Sequence, residues 1–118
     1  MRENILIDKS IDFAARILKL QKHLIKDKKE TIISKQIVRS ATSIGANINE
    51  ANYGQSKADM LSKFEIALKE CSETEGWLQL LFNTNGINEE IYKKYRNLCG
   101  RIRRMLISSC KTLKESLK

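Results

Sequence analysis

Two glutamates and a short polar strip are where this chain could do acid–base work. Gln36, Ser40, Ser43, Asn47, Glu50 and Gly54 recur at helical spacing along one flank of an apolar stripe, and could meet Lys63, Lys69 or Glu70 on a following helix. Two carboxylates brought together, such as Glu50 and Glu70, can trade protons or hold a pair of metal ions. The remaining chemistry is missing. Di-metal bundles use Glu-x-x-His pairs, and the single histidine, His23, has no glutamate three residues before it. Ser40 and Ser43 lack a histidine that could activate them as nucleophiles, and Gly45 fits close helix packing better than a phosphate loop. Cys71, Cys99 and Cys110 are odd in number and form no CxxC, which points to reduced, packed thiols rather than a disulfide framework or a zinc site. No catalytic residue, metal or cofactor is therefore expected. Ser40, Ser43, Asn47, Glu50 and Glu70 read instead as a hydrogen-bonded network that fixes helix register.

The second constellation is basic. At about 100° per residue, Lys93, Lys94, Arg101, Arg104 and Lys111 lie opposite the core stripe of the last helix, with Arg96, Arg103 and Lys114 on one flank. Such a face can displace counterions from the phosphates of RNA or DNA; it can equally be a solvated helix surface. Neither an aromatic-interleaved nucleic-acid motif nor a recognised RNA-binding signature is present, so base-specific reading is not expected. The formal charge of +8 is uneven along the chain: both ends are basic, and the segment 55–86 is acidic.

A third group is apolar. Ile66 and Trp77, with Leu80 nearby, point away from the Phe64/Leu68/Cys71 stripe of their helix. Tyr92, Cys99, Leu106, Cys110 and Leu117 widen the apolar arc of the last helix. One four-helix core cannot hide both faces of one helix, so Ile66, Trp77, Leu80 and Tyr92 are candidates for a subunit interface; the alternative is a broad core with Trp77 over its edge.

Four helices must position these groups. Apolar periodicity predicts helix one over 8–26, with Ile11, Ala14, Ile17, Leu18, Gln21, Leu24 and Ile25 inward and Asp8 or Ser10 as N-cap. The run KDKKE at 26–30 interrupts it. Helix two starts near Thr31, aligns Ile33, Ile37, Ala41, Ile44, Ile48 and Ala51, and stops near Tyr53-Gly54, where Gly54 could take a left-handed conformation and Ser56 cap the next helix. Helix three covers about 57–84. Helix four covers about 88–116 on a heptad of Ile91, Tyr95, Leu98, Ile102, Met105, Ser109 and Leu113.

The 118 residues contain no proline and few aromatics, and they suit one all-α domain over 1–118, an antiparallel up-and-down four-helix bundle. No apolar run approaches the roughly 20 residues that span a bilayer, and the start MRENILIDKS lacks the apolar region of a secretion signal. The expectation is a cytoplasmic protein with no membrane partner.

The ordered motif of Ser40, Ser43, Ala46, Asn47, Ile48, Glu50 and Ala51, followed by QSKADMLSKFEIALKECSETEGWLQLL, resembles the signature of a bacterial four-helix bundle family that includes proteins encoded by intervening sequences of large-subunit rRNA. The likeness extends to the opening ILIDKSIDFAARILKL. It implies an antiparallel bundle, a ring-like homopentamer and no established enzymatic activity. A more distant likeness, to the accessory subunit of diversity-generating retroelements, implies binding to nucleic acid and to a reverse transcriptase. The motif positions Ser40, Ser43, Asn47, Glu50, Ala67, Leu68, Lys69, Glu70, Glu73, Thr74 and Trp77 carry no catalytic role in that family. Two departures concern local packing: Met60 stands where an aromatic is common, and Gly76 precedes Trp77. The readings that result are a non-enzymatic homo-oligomer that binds RNA or DNA through helices one and four, and a scaffold for another protein.

Overall fold

The computed structural model describes residues 2–118, with side chains from Ile5 onward. Four helices run in order: α1 (Arg2–Lys28), α2 (Ile32–Asn52), α3 (Lys57–Asn83) and α4 (Glu89–Ser116). They form an up-and-down bundle 49 Å long and about 21–22 Å across. Cross-helix bonds fix the antiparallel register. Glu50 meets Lys63 while Arg39 meets Glu70 and Glu73; likewise Glu65 meets Lys114 while Glu75 meets Arg103.

Each turn has an identifiable stop signal. Lys29 turns left-handed (φ 56°), so that the Glu30 N–H donates back to the Leu24 carbonyl at 3.0 Å. The Glu30 carboxylate then accepts from the N–H groups of Ile32, Ile33 and Ser34 at 3.2, 3.1 and 2.7 Å, satisfying three orphan donors at the start of α2. Ser56 caps α3 by accepting from Asp59 N, as its position predicts, and Asn88 caps α4 by accepting from Ile91 N. At the end of α3, Asn85 is left-handed (φ 63°) and Gly86 N donates to Leu81 O at 2.7 Å, a Schellman closure. Gly54 is not left-handed: among the described residues, no glycine has positive φ. Its smallness serves a close approach, since an added Cβ would lie 3.1 Å from the Ala51 carbonyl oxygen.

The core differs from the expected one in α1 and α4. Helix α1 begins at Arg2, so neither Asp8 nor Ser10 caps it. Its buried stripe is Leu6, Ser10, Phe13, Ile17, Leu20 and Leu24, whereas Ile11 (61% exposed), Leu18 and Ile25 face outward. Ser10 can sit inward because its hydroxyl donates to Ile7 O and because it lies over Gly45, where a Cβ would come within 3.3 Å of the Ser10 oxygen. On α4 the buried positions are Tyr92, Cys99, Gly100, Ile102, Leu106 and Cys110; Ile91, Tyr95, Leu98, Met105, Ser109 and Leu113 of the expected heptad are only half-buried. Helices α2 and α3 bury the stripes that their periodicity predicts, centred on Ile37, Ala41, Ile44 and Ile48 and on Phe64, Ala67, Cys71, Leu78 and Leu81.

Candidate nucleic-acid interface and polar seam

The basic face of α4 divides into engaged and open cations. Lys93 pairs with Glu89 one turn earlier at 2.9 Å, and its ammonium holds that carboxyl below the usual range. Arg96 lies over the Tyr92 ring, 5.1 Å from its centroid. Arg103 donates through Nε to Glu75 at 2.9 Å. Lys94, Arg101, Arg104 and Lys111 are exposed, and among the described residues none of them is in an ion pair. All seven residues expected from the sequence are on α4, and four offer an uncommitted charge.

Two local features concentrate that charge. Gly100 is buried, and a Cβ there would lie 3.2 Å from Arg104 Nη1 and 3.9 Å from Arg103 Nη2, so the bare backbone lets two guanidinium groups gather over one spot. At the seam between α1 and α4, Lys9 and Arg101 line one crevice of roughly 50 Å³ with Asp12, Phe13 and Leu98. Asp12 is already bonded to Arg16 at 2.9 Å, which leaves the crevice's cations in excess. The Tyr95 hydroxyl donates to Arg16 O at 3.1 Å, tying the two basic helices together; burial of this phenol pushes its pKa up, keeping it a neutral donor.

The polar network narrows to a seam between α2 and α3. Ser40 Oγ and Thr74 Oγ1 share a buried 2.8 Å hydrogen bond, and the Thr74 hydroxyl also lies 2.8 Å from Glu70 O. Arg39 donates to Glu70 at 3.3 Å and to Glu73; the hydrogen bond to Glu73 is the main reason its pKa is raised. Thr74 and Glu73, which the family motif includes but the polar strip does not, join the seam together with Arg39, which neither singles out. Thr74 could be found from its spacing of four after Glu70, opposite Ser40. Ser43, Asn47 and Glu50 do not join it. Asn47 is half-buried and donates to Ser43 O within its own helix, and Glu50 is exposed and pairs with Lys63 at 2.8 Å. Thr74→Val should therefore cost about 1 kcal/mol by removing the Ser40–Thr74 bond and leaving Ser40 only its 3.3 Å bond to Ile37 O, whereas Asn47→Ala should cost under about 0.5 kcal/mol. Urea titrations of the two variants would check the contrast, and equal midpoints would contradict it.

The candidate interface residues divide as well. Ile66 (41% exposed) and Leu80 (40% exposed) lie on the outer face of α3, with Trp77 half-buried between them. Tyr92 does not belong with them. At 8% exposure it stacks on Phe82, centroids 4.7 Å apart, and donates to Gln79 Oε1 at 2.6 Å, so it serves the bundle's own α3–α4 contact.

Cys71, Cys99 and Cys110 are buried and free; the Cys99 thiol is pushed up by its contact with Cys71 and by burial, and the Cys110 thiol by burial. Among the described residues, no group of three His, Cys, Asp or Glu could hold a metal ion. Among them, too, no helix is long and apolar enough to cross a membrane.

Comparison with known proteins accords with this architecture. A crystal structure of a protein of unknown function from the S23 ribosomal protein family of Bacteroides thetaiotaomicron matches with a TM-score of 0.92 and 50% sequence identity, over 94% of this chain and 99% of that one. No curated protein matches. The family profile of the 23S rRNA-intervening sequence protein matches residues 2–108, nearly the whole bundle. The chain belongs to the 23S rRNA-intervening sequence protein family.

Proposed function

We propose that this protein is a non-enzymatic, cytoplasmic, homo-oligomeric bundle that binds RNA or DNA through the basic faces of α1 and α4. The observation that carries the reading is the row of uncommitted cations Lys94, Arg101, Arg104 and Lys111, joined at the α1 seam by Lys9. Free guanidinium and ammonium groups on one rigid helix match a phosphate backbone in charge, and arginine adds a planar fork for phosphate oxygens. The tyrosines among these cations, Tyr92 and Tyr95, are engaged within the bundle by Phe82 and Gln79 and by Arg16 O, which favours recognition of the backbone over sequence. Self-assembly into a pentamer rests on the family resemblance, and the exposed apolar positions of α1 and α3 supply surface for it. A ring would repeat the basic face around an axis and raise avidity for a long polyanion.

Fluorescence anisotropy with a labelled single-stranded RNA and a DNA duplex, titrated between about 50 and 200 mM salt, tests the binding. The logarithm of the affinity for duplex DNA should fall with the logarithm of salt, with a slope of about −3 to −4 for each protomer engaged. Unrelated sequences should bind alike. Absence of binding at low salt would remove the nucleic-acid role and leave the scaffold reading, in which the basic face meets an acidic protein.

A further inference from the structure

Gly100 sits in the middle of α4, where alanine would hold the helix better and no turn or positive φ calls for glycine. The usual reason for such a residue is close contact with a neighbouring helix. Here the reason is different. A Cβ built on Gly100 would have as its three nearest atoms Arg104 Nη1 at 3.2 Å, Arg103 Nη2 at 3.9 Å and Arg104 Cζ at 4.0 Å, all from α4's own arginines. A pair of guanidinium groups covers this glycine.

The two groups differ in how they are held. Arg103 gives its Nε to Glu75 at 2.9 Å, which fixes its direction and leaves its terminal nitrogens toward Gly100, outside any hydrogen bond or ion pair among the described residues. Arg104 is exposed and, among the described residues, in no ion pair. Glu75 offsets one of the two charges, so the pair keeps a net positive charge and turns N–H donors from both forks to one spot. Two cations this close repel each other, and an anion with several oxygens is the ligand they lack. Phosphate suits the pair better than carboxylate, because its tetrahedral oxygens can be shared between two forks, whereas a planar carboxylate is filled by one.

We propose that Arg103 and Arg104 clasp a single backbone phosphate of RNA or DNA over Gly100, and that Gly100 is the positioning residue that brings the two guanidinium groups together. This rests on the nucleic-acid reading and adds one built contact to a face that otherwise acts by charge alone. Arg103 contributes through its terminal nitrogens while Glu75 keeps its Nε.

A double-mutant cycle with Gly100→Ala and Arg104→Gln tests the seat, read by anisotropy with the labelled DNA duplex at about 50 mM salt. Gly100→Ala changes no charge and favours the helix; its methyl group meets only the flexible ends of the two arginines, so helicity and melting temperature should hold. Affinity should nonetheless fall by about fivefold, as the two forks lose their common target. In the Arg104→Gln background the same methyl should change affinity by less than about twofold, because the pair is already broken. Wild type and Gly100→Ala binding alike would overturn the seat and leave the basic face standing. An equal loss in both backgrounds would overturn it too, since the methyl would then act on the helix rather than through Arg104. Poly-glutamate in place of the duplex separates phosphate from carboxylate: the same dependence on Gly100 there would overturn the phosphate assignment and give the seat to an acidic partner. A wild type that fails to bind the duplex would overturn the nucleic-acid reading and the seat with it.

Discussion

Reversing Arg101, Arg104 and Lys111 to glutamate should reduce affinity for RNA or DNA by on the order of 100-fold or more at low salt, and lower the salt slope by about three per protomer. All three side chains are exposed and outside any ion pair among the described residues, so the change removes three phosphate contacts and adds three repulsions without breaking an internal bond. Circular dichroism should stay at wild-type helicity. The matched control is Lys93→Glu with Arg103→Glu, which alters cations that Glu89 and Glu75 already hold. Its loss of affinity should be smaller. If the triple variant binds as tightly as wild type in the anisotropy titration, the α4 face is only a solvated surface.

Phe13→Ala should be the most damaging single truncation at the α1–α4 seam, at about 3–5 kcal/mol. Phe13 is 1% exposed and its ring centroid lies 6.4 Å from that of Tyr95. A domain of this size has on the order of 5–15 kcal/mol in total, so the variant should melt far below wild type. Ile11→Ala is the informative partner. On an isolated subunit it should cost under about 0.5 kcal/mol, because Ile11 faces outward. Thermal melts of both variants at a concentration that keeps the chain monomeric would give the comparison, and a larger loss for Ile11 would restore it to the core.

That contrast shows where the sequence is legible and where it is not. Helix α1 contains two apolar stripes one residue out of phase, and periodicity favours Ile11, Leu18 and Ile25 because the competing stripe includes Ser10. Only the tertiary structure shows that Ser10 is matched to Gly45 on α2, which turns a polar residue into the correct inward one. Helix α4 is misjudged for a related reason: its heptad from Ile91 to Leu113 outweighs the neighbouring arc of Tyr92, Cys99, Leu106 and Cys110 in side-chain size, yet it is that arc that is buried. The basic face is readable because exposed cations at helical spacing need only a helix to align them. Which of those cations is neutralised is not, since Arg103 with Glu75 and Lys114 with Glu65 depend on the register of α4 against α3. The family signature is legible along almost its whole length, as the match over residues 2–108 shows.

The turn at Lys29 and Glu30 bears on how fast the chain finds its structure. It closes α1 onto α2 across three residues, and the other two connections are nearly as short, so little loop entropy opposes three of the four helix contacts. Pairs adjacent in sequence dominate the packing, which places the fold among the low-contact-order topologies that form in microseconds to milliseconds. The α1–α4 seam alone joins the two ends of the chain and must wait for both hairpins. Side chains there, Phe13 and Tyr95 first among them, should act on the rate of unfolding far more than on the rate of folding, so that the seam governs how long the bundle stays closed.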